Sequence, residues 1–346
     1  MLNEIAFERF LSLFNEKGDN MSEQHKNIPF FLQMINSDIE SCLINIVAKN
    51  QDISYFTEIS NAYKHPLNAG GKRVRPLLTL ICAGAFSGEA GIETARNSAL
   101  AVEKIHTYSL VHDDLPCMDN DDLRRGLPTT HKIYGEAKGL LIGDALLTES
   151  FKIIAQTKLN RPKYLSFLIN ELSEGSGVRG MILGQWLDIS FTNSNEVTWG
   201  QMEIVHRNKT GKLLGTALSL GFLCGADHFK NEIPESKLFE LNNVIKEAGE
   251  LIGLSFQIID DILDATKSSE QLGKTSGKDE AQNKFTAVKL LGFEKAEKLA
   301  ASYTDKAKLL LQSLFENTHI INNNINSIYY QKMLLSQIEL LLDRSK

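Results

Sequence analysis

Five aspartates fall within ten residues, Asp113, Asp114, Asp119, Asp121 and Asp122, in the segment DDLPCMDNDD that follows the apolar stretch ending at Val111. If that stretch is a helix, the carboxylates stand at its C-terminus, where the macrodipole opposes them. A divalent cation would offset that cost. Carboxylate-rich sites suit hard ions such as Mg²⁺, which keep several waters and commonly share a substrate phosphate. A second set lies in FQIIDDILD, where Asp260 and Asp264 are four residues apart and so share one helix face. Leu251, Leu254, Ile258, Ile259, Ile262 and Leu263 surround them in the sequence. Carboxylates set so close to apolar surface are costly unless paired or metal-bound. Two such helices in a bundle can face one another and hold metal ions between them. The competing readings are a solvated helix end for the first set and a structural ion network for the second.

Basic residues recur in apolar surroundings: GGKRVRP over residues 70–76, Arg124-Arg125 directly after the first acidic set, and HRNKTGK over 206–212. Arg holds phosphate oxygens bidentately and Lys supplies a point charge, so together with the carboxylates they suit a phosphate-rich substrate. Any one of them alone reads as a solvated face. Other phosphate motifs are rejected. Gly273-Lys274-Thr275 looks like the tail of a Walker A loop, but Ser268 stands where the first glycine is needed and no strand precedes it. There is no GxGxxG after a strand, and no HExxH or GxSxG.

The elements that must position these residues are helical. The 346 residues are 42% hydrophobic, ample for a large core. Clean two-residue alternation is absent and helical periodicity dominates. Helices are expected from just after Pro29, over 76–85 with Pro76 in its first position, and over 92–111, 137–156, 161–172, 177–189, 198–225, 236–264, 294–315 and 324–342. Thr198 and Gln201 fit a capping box. The expected fold class is all-α, a bundle of ten or more helices, with residues 1–28 an N-terminal extension and 29–346 a single domain. Ile5, Phe7, Phe10, Leu11 and Phe14 would give the extension a short amphipathic helix. Glu4, Glu8 and Arg9 interrupt any signal-peptide pattern. The longest apolar run, 213–226, is too short to span a membrane, and a cytoplasmic protein is expected. The net charge of −6 argues against nucleic acid as the main partner. Cys42, Cys82, Cys117 and Cys224 have no metal-ligand or redox spacing and read as reduced structural thiols.

With these motifs the chain resembles the trans-isoprenyl diphosphate synthases, most closely the bacterial farnesyl and plastid-type geranylgeranyl enzymes. DDLPCMDNDD with LRRG following matches the first aspartate-rich motif in its DDxxxxD form, and FQIIDDILD matches the second. GGKRVRP, Gly184-Gln185 with Asp188, HRNKTG and LGKTSGKDEAQNKFT follow in family order, from about Pro29 onward. The resemblance implies an isoprenoid-synthase-type bundle around a central cavity, a homodimer, and several Mg²⁺ ions. The implied reaction is condensation of isopentenyl diphosphate with an allylic diphosphate.

Residue by residue, the resemblance assigns Mg²⁺ to Asp113, Asp114, Asp119 and Asp260, with Asp264 a weaker candidate. It brings Arg124, Lys209 and Lys274 to the departing diphosphate, with Thr210 and Gln257 beside it. Lys72, Arg75, His106 and Arg125 would form the isopentenyl site. His106 alone reads as a core histidine; its place seven residues before Asp113 argues otherwise. No side-chain base is assigned, since the released diphosphate can take the final proton. One helical turn, about 5.4 Å, separates Asp113 from Tyr108 and Ser109, which could floor the cavity. A bulky Tyr108 there favours a fifteen-carbon farnesyl product, and ordinary core packing of Tyr108 is the alternative. A geranylgeranyl synthase is the alternative within the class. An HD-type phosphohydrolase (from His112-Asp113), a non-catalytic regulatory subunit and a terpene cyclase stand outside it.

Overall fold

A computed structural model describes residues 28–48, 54–192, 194, 196–266, 285–316 and 325–342. The segment before Ile28 and the expected diphosphate contact Lys274 lie outside the described residues. Helices α1 (Ile28–Ala48), α2 (Ser54–Asn68) and α3 (Val74–Asp113) are followed by a two-stranded antiparallel hairpin, β1 (Leu123–Arg124) and β2 (Leu127–Pro128). Then come α4 (Thr130–Tyr134), α5 (Glu136–Ala155), α6 (Tyr164–Ser176), α7 (Met181–Thr192) and α8 (Trp199–His206). A π-helical turn, Arg207–Gly211, leads into α9 (Lys212–Ala226), α10 (Glu235–Thr266), α11 (Ala287–Leu291), α12 (Phe293–Glu316) and α13 (Ile325–Leu342). The all-α expectation is borne out. Helices α2, α4 and α11 and the hairpin were not anticipated.

The described residues form two compact units, those within 28–80 and 96–158, and those within 81–95 and 159–342. In the first, α1 buries Ile28, Phe31, Leu32, Ile35 and Ile39, a stripe at helical spacing. Pro29 lies in the first turn of α1, where its missing N–H does no harm. The long α3 contributes to both units. It breaks at Ser87 (φ −148°) and Gly88 (φ 62°), so the two separate helices expected from the sequence are its two arms. Its start differs from expectation: the helix opens at Val74, and Pro76 is its third residue.

In the second unit every residue from Leu213 to Ala226 is buried, as expected of a helix apolar on all sides. Helix α10 packs mainly against α9 and α12. Where it meets α9 the backbones touch: a Cβ on Gly253 would lie 2.4 Å from the Gly211 Cα, and one on Gly249 2.5 Å from the Gly215 Cα. Paired glycines four residues apart allow this approach, Gly249 and Gly253 on α10 against Gly215 on α9 and Gly211 at the end of the π-turn before it. On the far side the Ser255 hydroxyl donates to the Ala300 carbonyl at 2.9 Å. The Thr198–Gln201 capping box is present at the start of α8. Among the described residues no helix is long and apolar enough to cross a membrane.

Candidate active site

The first carboxylate set is built by a tight fold-back. After α3 ends at Asp113, the Asp119 N–H donates to the Asp113 carbonyl at 2.8 Å and the Asp121 N–H to that of Asp114 at 3.2 Å. Asn120 takes a left-handed conformation, φ 50°, one that Asn tolerates better than most residues. The four residues between Asp114 and Asp119 are thus looped out and Asp119 returns to the helix end. Asp113 and Asp114 are only 8% and 4% exposed. Burial raises the Asp114 pKa despite the opposing pull of Arg124.

The hairpin then divides two neighbouring arginines. Its central residues Arg125 and Gly126 both have positive φ, 56° and 79°, as a type I′ turn requires. On the strand, Arg124 donates through Nε (3.0 Å) and Nη2 (2.5 Å) to Asp114 Oδ1, and through Nη2 to Asp121 Oδ2 at 3.1 Å. At the tip, Arg125 donates to the Gly70 carbonyl. A Cβ on Gly71 would meet the Arg125 guanidinium at 2.5 Å, so this approach depends on glycine. A cleft beside the hairpin joins the apolar Pro66, Leu110 and Val111 to Asp114, Arg124 and Arg125.

Around the start of α3 the expected isopentenyl set gathers. Burial pushes the Arg75 pKa down to about 10, with Arg125 adding to the fall and Glu103 opposing it. The buried Arg75 Nε has no hydrogen-bond partner among the described residues. Burial, then Arg75, Arg125 and Arg73, push the His106 pKa well below the ordinary histidine value, so its imidazole is neutral. Lys72 is exposed beside them. One turn along α3, the Ser109 hydroxyl donates to the His106 carbonyl at 2.9 Å. Tyr108 is 6% exposed, packs edge-on against His112 with ring centroids 5.7 Å apart, and its buried hydroxyl has no partner among the described residues. Burial pushes its pKa up to about 12.

In the second unit the π-turn carries the site residues. Gly184 on α7 lets the chain approach so closely that a Cβ there would lie 2.1 Å from the Lys209 nitrogen. One turn on, Asp188 Oδ2 accepts from Lys209 Nζ at 2.6 Å. Buried Glu250 holds the flanking bases, accepting from Arg207 at 3.0 Å and from Lys212 at 2.6 Å. The Gly211–Gly253 contact lies between Thr210 and Gln257, whose side chains meet at 3.1 Å, the Thr210 hydroxyl donating. Asp260 and Asp264 are half-buried on the same helix. Asp261 is spent on structure, accepting from the Ala287 N–H at 2.7 Å and so capping α11.

Among the described residues no three acidic, His or Cys side chains are gathered closely enough to enclose a metal ion. The donor chemistry fits Mg²⁺, which is ordinarily held by one or two carboxylates together with substrate phosphate and water. Asp113, Asp114 and the returning Asp119 offer such oxygens in one unit, and Asp260 with Asp264 in the other. The desolvation that raises the Asp114 pKa is the cost a cation would relieve.

Sequence reasoning missed three groups here. Glu103 and Arg73 form a buried ion pair at 2.5 Å; an acid three residues before His106 inside an apolar helix was the available signal. The hairpin's turn carries Arg-Gly rather than the usual Asn-Gly. Asp188 stood within a quoted family segment without a role, and the structure pairs it with Lys209.

Comparison with known proteins follows the same lines. The polyprenyl synthetase family model matches residues 56–318. A chloroplastic geranylgeranyl pyrophosphate synthase of Capsicum annuum is 45% identical over 73% of this chain and 66% of its own length. This chain therefore spans just under two thirds of that relative. Geranylgeranyl pyrophosphate synthase 7 of Arabidopsis thaliana, also chloroplastic, is 39% identical over 85% of this chain and 80% of its own. A geranyltransferase from Helicobacter pylori, solved with magnesium and isoprenyl diphosphate, superposes with a TM-score of 0.71 at 33% identity, over 92% of this chain and 99% of that one. On sequence and fold together, the chain belongs to the polyprenyl synthetase family.

Proposed function

We propose that the chain condenses isopentenyl diphosphate head to tail with allylic diphosphates, with twenty-carbon geranylgeranyl diphosphate as the product. The observation that carries the reading is the anion cradle of Lys72, Arg75 and Arg125 around His106, in the same unit as the carboxylate loop. A terpene cyclase has no use for such a cradle. His112, the key to an HD-type hydrolase, is engaged by the Leu140 carbonyl at 3.0 Å. Retention of both aspartate sets disfavours a regulatory subunit.

In the reaction the allylic C1–O bond breaks heterolytically and the diphosphate leaves with the electron pair. C1 bonds to the alkene of isopentenyl diphosphate, and a proton passes from the adduct to the released diphosphate. Asp113, Asp114 and Asp119 in one unit, and Asp260 with Asp264 in the other, would hold Mg²⁺, which would supply Lewis-acid chemistry toward the leaving diphosphate. Arg124, already fixed by Asp114, and Lys209, already fixed by Asp188, contribute positive charge that need not reorganise as the transition state forms. Lys72, Arg75 and Arg125 hold the second diphosphate, and neutral His106 adds hydrogen bonding without a further charge. Thr210 and Gln257 steady one another beside Lys209.

The twenty-carbon product rests on the names of the most similar relatives. The farnesyl expectation rests on Tyr108 alone, whose ring packs on His112 one turn on. The test is incubation with labelled isopentenyl diphosphate, geranyl diphosphate and Mg²⁺, with product length read by chromatography. Mg²⁺-dependent geranylgeranyl diphosphate is expected. A fifteen-carbon end product that lengthens in Tyr108→Ala would restore the floor, and absence of condensation by the folded protein would overturn the reading.

A further inference from the structure

Within the GGKRVR segment the Arg73 side chain turns inward to a buried partner. It is 4% exposed and its partner Glu103 2%. Nη1 donates to Glu103 Oε1 at 2.5 Å and Nη2 to the Leu67 carbonyl at 2.5 Å. The guanidinium thus ties together three pieces of chain: the end of α2, the start of α3, and the returning arm of α3 fifteen residues beyond its break. Its own backbone is left-handed, φ 47° and ψ 36°, a region that residues other than Gly, Asn and Asp rarely enter. No side chain caps the helix there. The turn conformation is therefore maintained by what the Arg73 side chain holds.

The consequence falls on its neighbours. Lys72 and Arg75 flank this turn, and His106 lies one helical turn from Glu103. Glu103 is also the carboxylate that favours the charged forms of Arg75 and Arg125, which repel one another. One buried acid thus holds Arg73 directly and balances two more guanidiniums.

We infer that Arg73 and Glu103 are positioning residues for the non-allylic diphosphate: their buried pair sets the left-handed turn that aims Lys72 and Arg75. This rests on the proposed assignment of the cradle to isopentenyl diphosphate. Neither residue touches substrate; they act through the geometry of the residues that do. A buried ion pair adds little net stability over an apolar pair of like volume, so positioning gives it a role that stability alone does not.

Arg73→Lys and Glu103→Asp test this, because both keep the charges and change only the reach of the pair. The expected result is a rise of about tenfold in KM for isopentenyl diphosphate, the scale of one charged hydrogen bond, with kcat and the allylic KM within about twofold of wild type. Loss of thermal stability with both KM values unchanged, or both raised together, would overturn the inference. Should these variants fail to fold, the paired variant Arg73→Met/Glu103→Leu replaces them under the same criterion. Calorimetric titration with isopentenyl diphosphate alone separates the two claims. A wild-type chain that binds it but does not condense it, with binding weakened about tenfold in the variants, sustains the positioning role while the proposed reaction falls. Equal binding by wild type and variants defeats the positioning role whatever the activity.

Discussion

The Asp119 amide donates to the Asp113 carbonyl at 2.8 Å, so two residues six apart in sequence adjoin at the end of α3. The hydrogen bond is main-chain, and the looped-out Leu115-Pro116-Cys117-Met118 therefore leaves the return intact. The fold-back uses the backbone of Asp119, not its carboxylate. Asp119→Asn keeps the fold-back and removes one anionic oxygen donor. A fall of roughly 10²-fold in kcat/KM, about 2.7 kcal/mol of transition-state stabilisation, is expected. A raised Mg²⁺ requirement and an unchanged melting temperature should accompany it. Steady-state kinetics over a Mg²⁺ titration check this.

The contact between α9 and α10 leaves no room for a methyl group. Gly253→Ala would place its Cβ 2.4 Å from the Gly211 Cα, against backbone that cannot swing aside. Overpacking of this kind costs about 1–3 kcal/mol, and the helices must separate at the point that holds Thr210 against Gln257. Chemical denaturation should show the loss, and KM for the allylic diphosphate should rise in the surviving folded protein.

Gly126→Ala strains the hairpin, since Gly126 has φ 79°. The local cost is about 1–2 kcal/mol. The hairpin tip should loosen, freeing Arg125 from the Gly70 carbonyl more than Arg124 from its two carboxylates. KM for isopentenyl diphosphate should rise more than KM for the allylic partner. Equal changes in the two would contradict the division of labour between the arginines.

His206 supplies a pH signature. It is buried, packs on Trp199 with ring centroids 5.9 Å apart, and its Nδ1 has no partner among the described residues. Burial lowers its pKa from 6.5 to about 4, Lys209 adding to the fall and Asp188 opposing it. The folded state therefore holds the neutral ring while the unfolded chain binds a proton near 6.5. The stability from this group is complete above 6.5 and is lost as pH falls toward 4, by about 3 kcal/mol in all. Melting temperatures over that range should drop in the wild type and drop less in His206→Gln. An imidazole resonance titrating near 6.5 in the folded protein would refute the assignment.

Much of this was legible in advance, and the reasons differ by element. Asp113, Asp114 and Asp260 announced themselves because acids beside apolar runs violate the usual pattern. The Thr198–Gln201 cap was legible because it is purely local. The helix Ser54–Asn68 was not, since its polar composition and Pro66 mask its periodicity. The π-turn Arg207–Gly211 has no local signature; its form goes with Glu250 and Gly253, some forty residues on. The Arg73–Glu103 pair depends on the α3 arms folding back at Ser87-Gly88, and Lys209–Asp188 on the close approach at Gly184. Relations of that kind are properties of packing between segments, which spacing within one segment does not express.

An exposed hairpin is ordinarily where a protein tolerates gain or loss of residues. The turn at Arg125-Gly126 is an exception. Because Arg124 and Arg125 are consecutive yet directed to Asp114 and to Gly70, adding or removing one residue would shift both registers at once. Homologous chains are thus expected to vary this segment by substitution while its length stays constant, although it lies at the surface and carries almost no core.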